Sequence, residues 1–113
     1  MIQAFTSSRY KVQKNSIVRD AEAYLIKKRY IVDVTINIIF VGRRKMKEVA
    51  RQYLNKNIAK PVLSFKYGED HETFGEIFLC YPQAVLLAAE KNKTVDTMIE
   101  QLVEHGLDNL FTL

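Results

Sequence analysis

The segment from Val34 to Val41 is the feature that most constrains the fold of this chain. It is rich in β-branched residues and is apolar on both faces from Ile38 onward. Such residues favour extended strands, because their branched side chains pack well on a pleated surface. A strand that is apolar on both faces needs cover on both sides. The sequence therefore predicts that this strand lies in the middle of a sheet.

Three shorter segments complete the predicted sheet. Ile2 to Thr6 alternates apolar and polar residues and is typical of an edge strand. Val62 to Tyr67 follows a helix, and a strand, a helix and a strand in that order favour a right-handed parallel crossover. Gly68 to Gly75 is polar and turn-like, so Glu76 to Cys80 is expected to return antiparallel to the strand before it.

Two helices are predicted in the first half of the chain. Ser16 is a candidate N-cap for the first, because its hydroxyl can accept a hydrogen bond from the first turn. The apolar positions of that helix follow helical spacing at Ile17, Ala21, Tyr24 and Leu25. The second helix, from Arg43 to Leu54, is amphipathic, with apolar residues at Met46, Val49, Ala50 and Tyr53.

The last third of the chain predicts two more helices. Pro82 suits the first turn of a helix from Gln83 to Lys91. Thr94 is a plausible cap for the final helix, and Asp96 is well placed against its dipole. The apolar stripe of this helix consists of Val95, Met98, Ile99, Leu102, Val103 and Gly106. The sequence thus predicts one α+β domain over residues 1–113, a mixed sheet of about four strands with about four helices packed on it.

Composition limits the classes of protein to consider. The longest apolar run, Ala84 to Ala89, is far shorter than the roughly 20 residues that span a bilayer. No signal-peptide pattern is present at the N-terminus, and Cys80 is the single cysteine, so a cytoplasmic protein without an internal disulfide is expected. The net charge of +4 is compatible with a polyanionic partner.

The second helix concentrates much of this positive charge. Cationic side chains lie away from its apolar stripe and just beyond its end, at Arg43, Arg44, Lys47, Arg51 and Lys56. Such a surface can contact phosphates without regard to sequence. We predict RNA binding here, with an ordinary solvated helix face as the alternative.

The final helix ends in a recognisable motif, His105-Gly106-Leu107-Asp108-Asn109. Together with Ile38 to Gly42 and Val62 to Phe65, it resembles the bacterial rRNA-maturation endoribonuclease family YbeY. Tyr53 and Lys56 also match a family motif, and Phe74 to Ile77 corresponds to the family's Leu-Gly-Asp-Ile strand. The resemblance covers roughly residues 36–110.

The resemblance implies a zinc site. Family members carry His-Gly-x-x-His and a third histidine six residues further on, and the three imidazoles hold one zinc ion. His105 is at the first ligand position and Asn109 at the second, while the third would fall two positions beyond Leu113, so a truncated member is expected. An amide oxygen suits calcium better than zinc. Thr112 replaces a family glycine, and Leu54 replaces a conserved arginine.

Three hypotheses about function follow. The resemblance implies a zinc-dependent endoribonuclease that acts on single-stranded RNA in rRNA maturation and ribosome biogenesis. Because two of the three ligand histidines are missing, a non-catalytic RNA- or ribosome-binding domain is the alternative, and a truncated chain with little function is a third possibility. In the first two cases the partner is RNA or the ribosome, with neither a membrane nor DNA expected.

Overall fold

Four strands form a mixed sheet in a computed structural model of the chain, which describes residues 1–30 and 33–112. Their order across the sheet is β1-β2-β4-β3, with β1, β2 and β4 parallel and β3 antiparallel to β4. The elements in chain order are β1 (Ile2–Phe5), α1 (Lys14–Lys27), β2 (Ile36–Val41), α2 (Arg43–Leu54), β3 (Val62–Lys66), β4 (Gly75–Cys80), α3 (Tyr81–Glu90) and α4 (Val95–Phe111). The predicted α+β class is confirmed.

Strand β2 has the central place that its sequence predicts. Ile38 on β2 pairs in register with Ala4 on one side and with Ile77 on the other. Ile36 and Ile38 are fully buried on one face, and Val41 is buried on the opposite face. Burial on both faces is what a near-continuous β-branched run requires.

The predicted parallel crossover from β2 to β3 is wrong. Strand β4 lies between them, and β3 runs antiparallel to its hairpin partner β4 at the edge of the sheet. The pairing follows burial, because β4 buries Ile77, Leu79 and Cys80 completely, whereas most of β3 is only partly buried. The more apolar strand of the hairpin therefore takes the inner place. The antiparallel return of β4 is confirmed.

Helices cover the two faces of the sheet unequally. The larger core joins α1, α3 and α4 to the face that carries Ile36, Ile38 and Ile77. The smaller core joins α2 alone to the opposite face, through Met46 and Val49. Within the described residues, no helix is long and apolar enough to cross a membrane.

The helix starts differ in part from those predicted. Helix α1 begins at Lys14, so Ser16 lies inside the helix, where its hydroxyl accepts a hydrogen bond from Arg19 Nη2 at 3.2 Å. The predicted Ser16 cap is therefore wrong, because the first turn forms before it. Helix α3 begins at Tyr81, which places Pro82 in its first turn. The Thr94 cap of α4 is confirmed, since Thr94 Oγ1 accepts from the backbone N–H of Thr97 at 3.0 Å.

Two glycines set the close approach of α4 to the β3–β4 hairpin. A Cβ atom added at Gly106 on α4 would lie 2.8 Å from Ile77 Cγ2 and 3.2 Å from Ser64 Oγ. One added at Gly75, at the start of β4, would lie 2.8 Å from Leu110 Cδ2 and 3.0 Å from a backbone oxygen. Helix and hairpin thus approach so closely that a larger residue at either position would force neighbouring atoms to shift.

We expect Gly106→Ala to lower the free energy of unfolding by up to about 2 kcal/mol. An overpacked buried contact, which forces the helix or Ile77 to move, costs about 1 to 3 kcal/mol, and the higher helix propensity of alanine offsets about 1 kcal/mol of that cost. Asn109→Ala, three residues away and exposed on the same helix, is the control and should be neutral or mildly stabilising. Urea unfolding of both variants measures this. A stabilised Gly106→Ala protein would contradict the close packing.

Candidate functional site

His105 and Asn109 are exposed on consecutive turns of α4. Residues four apart on a helix are neighbours on one face, so the imidazole and the carboxamide project side by side. Ser64 Oγ on β3 donates a hydrogen bond to the carbonyl oxygen of Gly106 at 3.0 Å. This bond fixes the turn that carries His105 against the edge strand of the sheet.

The zinc site that the family resemblance implies would be centred on His105 and Asn109. No group of three histidine, cysteine, aspartate or glutamate side chains within residues 1–30 and 33–112 is arranged to hold a metal ion. A hydrolytic zinc site needs three protein ligands and an open position for water. His105 and Asn109 offer one imidazole and one neutral amide, which do not meet that requirement. Their assignment as ligand positions stays a prediction.

Cys80 and His71, whose thiol and imidazole groups could also bind a metal, lie on other elements than His105. Cys80 ends β4 in the smaller core, and burial raises the pKa of its thiol, which disfavours the thiolate that binds metals. His71 is exposed in the loop between β3 and β4, beside the ring of Tyr67.

Asp108 makes a contact that the sequence does not reveal. Its carboxylate accepts hydrogen bonds from the hydroxyls of Tyr24, at 2.9 and 3.0 Å, and of Tyr30, at 2.8 Å. Burial and the bond to Asp108 raise the pKa of Tyr24 to about 12. The bond to Asp108 also raises the pKa of Tyr30. These bonds link α1, and Tyr30 just after it, to the turn of α4 that carries Asn109. The bonded residues are more than 75 positions apart, so no local sequence pattern reveals the contact.

The basic residues of α2 form a separate surface on the other side of the sheet. Arg43, Arg44, Lys47, Arg51 and Lys56 are all exposed, and within the described part of the chain none of them forms an ion pair. Since α2 and α4 pack on opposite faces, the structure does not bring this surface together with His105 on one face.

Arg9 joins the basic surface, although sequence reasoning missed it. An open cleft of about 550 Å³ at the start of α2 is lined by Arg9, Arg43, Arg44 and Lys45. Arg9 lies in the segment between β1 and α1, where no helical spacing signals its placement. The hydroxyl of Tyr10 reaches the backbone of Gly42 in this cleft, at 2.6 Å from where a Cβ would stand. Four cations from two segments thus line the cleft, together with Glu48, which pairs with Lys45 at 3.9 Å.

Curated proteins from several bacteria are similar to this chain in sequence. A curated relative from Acidovorax sp. (strain JS42), named Endoribonuclease YbeY, is 30% identical over 91 residues, which are 80% of this chain and 60% of the relative. A relative of the same name from Aromatoleum aromaticum is 31% identical over 69% of this chain and 51% of its own length. The chain therefore spans about half to three fifths of the length of these relatives.

A solved structure resembles this chain over most of its length. The solution structure of TM1509 from Thermotoga maritima matches 97% of this chain and 71% of its own, with a TM-score of 0.64 and 26% sequence identity. These matches place the chain in a class of α+β proteins whose curated relatives carry an endoribonuclease name. A sequence model described as Endoribonuclease YbeY matches residues 3–111, and the chain belongs to that family.

Tyr24→Phe tests the tie between α1 and α4. At about pH 8 we expect the free energy of unfolding to fall by about 1 kcal/mol, because Asp108 loses one of its two hydroxyl donors. The raised pKa of Tyr24 means that its stabilising effect is complete below the ordinary tyrosine value of 10.0 and is lost as the pH rises towards about 12. Wild type and variant should therefore converge in stability over that interval.

Urea unfolding at several pH values provides the measurement. Tyr81→Phe, in which a hydroxyl is removed from a ring stacked on Tyr10, is the control, because it leaves both hydrogen bonds to Asp108 in place. A stability difference between wild type and Tyr24→Phe that stays constant from pH 10 to 12 would contradict the assigned pKa.

Proposed function

We propose that this protein acts on single-stranded RNA as an endoribonuclease of rRNA maturation and ribosome biogenesis, in the bacterial cytoplasm. Membership of the Endoribonuclease YbeY family supports the reaction class. The observation that supports RNA as the substrate is the exposed cationic surface of α2, with Arg9 beside it. Guanidinium and ammonium groups supply phosphate contacts that do not depend on base sequence.

The arrangement of these cations suits an extended polyanion. Arg43, Lys47 and Arg51 follow one another at intervals of four residues, so they share one flank of the helix. The flank is about 12 Å long, at 1.5 Å per residue. Arg43 is partly held in place, since its Nε donates to Gln83 Oε1 at 3.1 Å. A strand of RNA lying along this flank can contact several cations at once.

Zinc is the cofactor that the family resemblance implies, and His105 is the residue that would bind it. Because His105 and Asn109 do not make a zinc-retaining set, we assign no step of the reaction to a metal ion. We propose instead that this chain retains zinc weakly.

A non-catalytic RNA- or ribosome-binding domain is the second candidate function. It is favoured by one observation, the presence of Asn109 where the family motif has a ligand histidine. Cleavage of a single-stranded rRNA fragment, with zinc supplied, separates the two functions. Endonucleolytic products that disappear in His105→Ala support the enzyme, whereas intact RNA bound equally by both proteins supports the binding domain.

We expect RNA affinity to depend strongly on salt. Neutralising two cations of the α2 flank, as in Lys47→Gln/Arg51→Gln, should reduce the slope of log affinity against log salt by about 1 to 2 units, since fewer counterions are released on binding. The matched control is Lys14→Gln/Lys91→Gln, which removes the same charge from exposed positions on α1 and after α3. Equal slopes for the two double variants would show that net charge, and not the α2 surface, attracts RNA.

Zinc content tests the proposed weakness of the metal site. We expect the wild type to purify with negligible zinc and Asn109→His to bind it weakly, because two imidazoles are too few for tight retention. A chain that also carries Thr112→Gly, with an extension placing histidine at the tenth position after His105, should hold about one equivalent. Elemental analysis of the three proteins provides the measurement. One equivalent in the wild type would overturn this assignment and favour the enzyme.

A further inference from the structure

The sheet face beneath α2 is only partly covered. Alternate residues of each strand lie on this face, and one of them, Phe5 on β1, is 48% exposed. Tyr53, at the last turn of α2, is 53% exposed. Ile39, Phe65 and Phe78 between them are only partly buried, although they pack against the smaller core. A single helix cannot cover four strands, so a band of apolar surface remains open.

These side chains form an apolar strip across the sheet, called here the aromatic strip, in which every member except Ile39 is aromatic. The rings of Tyr53 and Phe65 are tilted by 43° with centroids 4.6 Å apart, and those of Phe65 and Phe78 meet edge to face at 5.8 Å. Phe78 pairs in register with Ile39, and Ile39 pairs with Phe5. The strip thus runs from the end of the basic helix to the outer strand β1.

A polar row lies next to the aromatic strip. Gln3, Asn37 and Glu76 occupy paired positions on β1, β2 and β4, in register with Phe65 on β3. The buried Oδ1 atom of Asn37 has no hydrogen-bond partner within the described residues. Glu76 accepts a hydrogen bond from the hydroxyl of Tyr67 at 2.7 Å. Carboxamide and carboxylate groups of this kind can pair with the edges of nucleobases.

We infer that the strip from Tyr53 to Phe5 is a stacking platform for the bases of single-stranded RNA whose phosphates lie along α2. This inference rests on the proposed function and extends it from phosphate contacts to base contacts. Aromatic faces stack on any base, which gives affinity without sequence preference. The negatively charged carboxylate of Glu76 disfavours a phosphate on the sheet. The same carboxylate can accept a hydrogen bond from a base amino group, so the bases lie on the sheet and the phosphates along the helix.

A second copy of the chain is a poorer occupant of the same face. A symmetric dimer contact presents the same patch from both subunits. It would bury the Glu76 carboxylates of both copies at the interface, where like charges repel and desolvation is costly. RNA has no such conflict, because its bases are neutral and the neighbouring α2 surface is cationic.

The test compares two oligonucleotides of about ten nucleotides, an oligouridylate and an abasic strand of equal length. Both carry the same phosphates, but only one can stack. We expect the wild type to bind oligouridylate at least tenfold more tightly than the abasic strand. Phe5→Leu/Tyr53→Leu keeps apolar bulk but removes both exposed rings, so it should lose at least tenfold in affinity for oligouridylate while its affinity for the abasic strand is unchanged.

Ile26→Ala is the control, because Ile26 is 69% exposed on α1, away from the strip, and its loss should change neither affinity. Wild-type protein that binds both strands equally overturns the platform and leaves the phosphate surface standing. Wild-type protein that binds neither strand overturns the proposed function itself. A wild-type dimer in sedimentation that dissociates in Phe5→Leu/Tyr53→Leu, without a change in RNA affinity, assigns the strip to a second copy and also overturns the platform.

Discussion

Close contact between α4 and the β3–β4 hairpin holds the rest of the arrangement in place. Gly106 and Gly75 allow the helix to approach the strands within ordinary van der Waals limits, and the Ser64 hydroxyl adds a hydrogen bond to the Gly106 carbonyl. Because His105 is the neighbour of Gly106, its position relative to the edge strand is set by this packing. Asp108, bound by Tyr24 and Tyr30, fixes the following turn from the side of α1.

The sheet divides the candidate functions between its two faces. On one side α4 presents His105 and Asn109, and on the other α2 presents its cations above a partly open aromatic strip. A metal-dependent reaction would require the first side, while attraction of a polyanion requires only the second. The family resemblance extends over both sides. The expected ligand positions on the first side are His105 and Asn109, and the proposed RNA contact depends on the exposed cations of the second side.

Much of the secondary structure could be predicted, because it depends on local chemistry. The helix bounds of α2, the Thr94 cap and the central position of β2 follow from apolar spacing, capping and two-faced hydrophobicity. Two expectations were wrong for identifiable reasons. The Ser16 cap is wrong because α1 starts a turn earlier, and the β2–β3 crossover is wrong because β4 is the more completely buried strand of the hairpin. Residues from distant segments that line one cleft, such as Arg9 and Arg43, leave no local signal in the sequence.

The sequence by itself determined the residue types available for function: one histidine and one asparagine at helical spacing, and a row of cations along an amphipathic helix. These follow from composition and periodicity, which are properties of neighbouring residues. Only the tertiary structure decided that the two sets lie on opposite faces of the sheet, that Asp108 receives two tyrosine hydroxyls, and that aromatic rings stay exposed beneath α2. Residue alternation and pairing register determine which side chains share a face of the sheet. Strand order determines which of them are neighbours on that face, and it depends on the relative burial of segments that are distant along the chain.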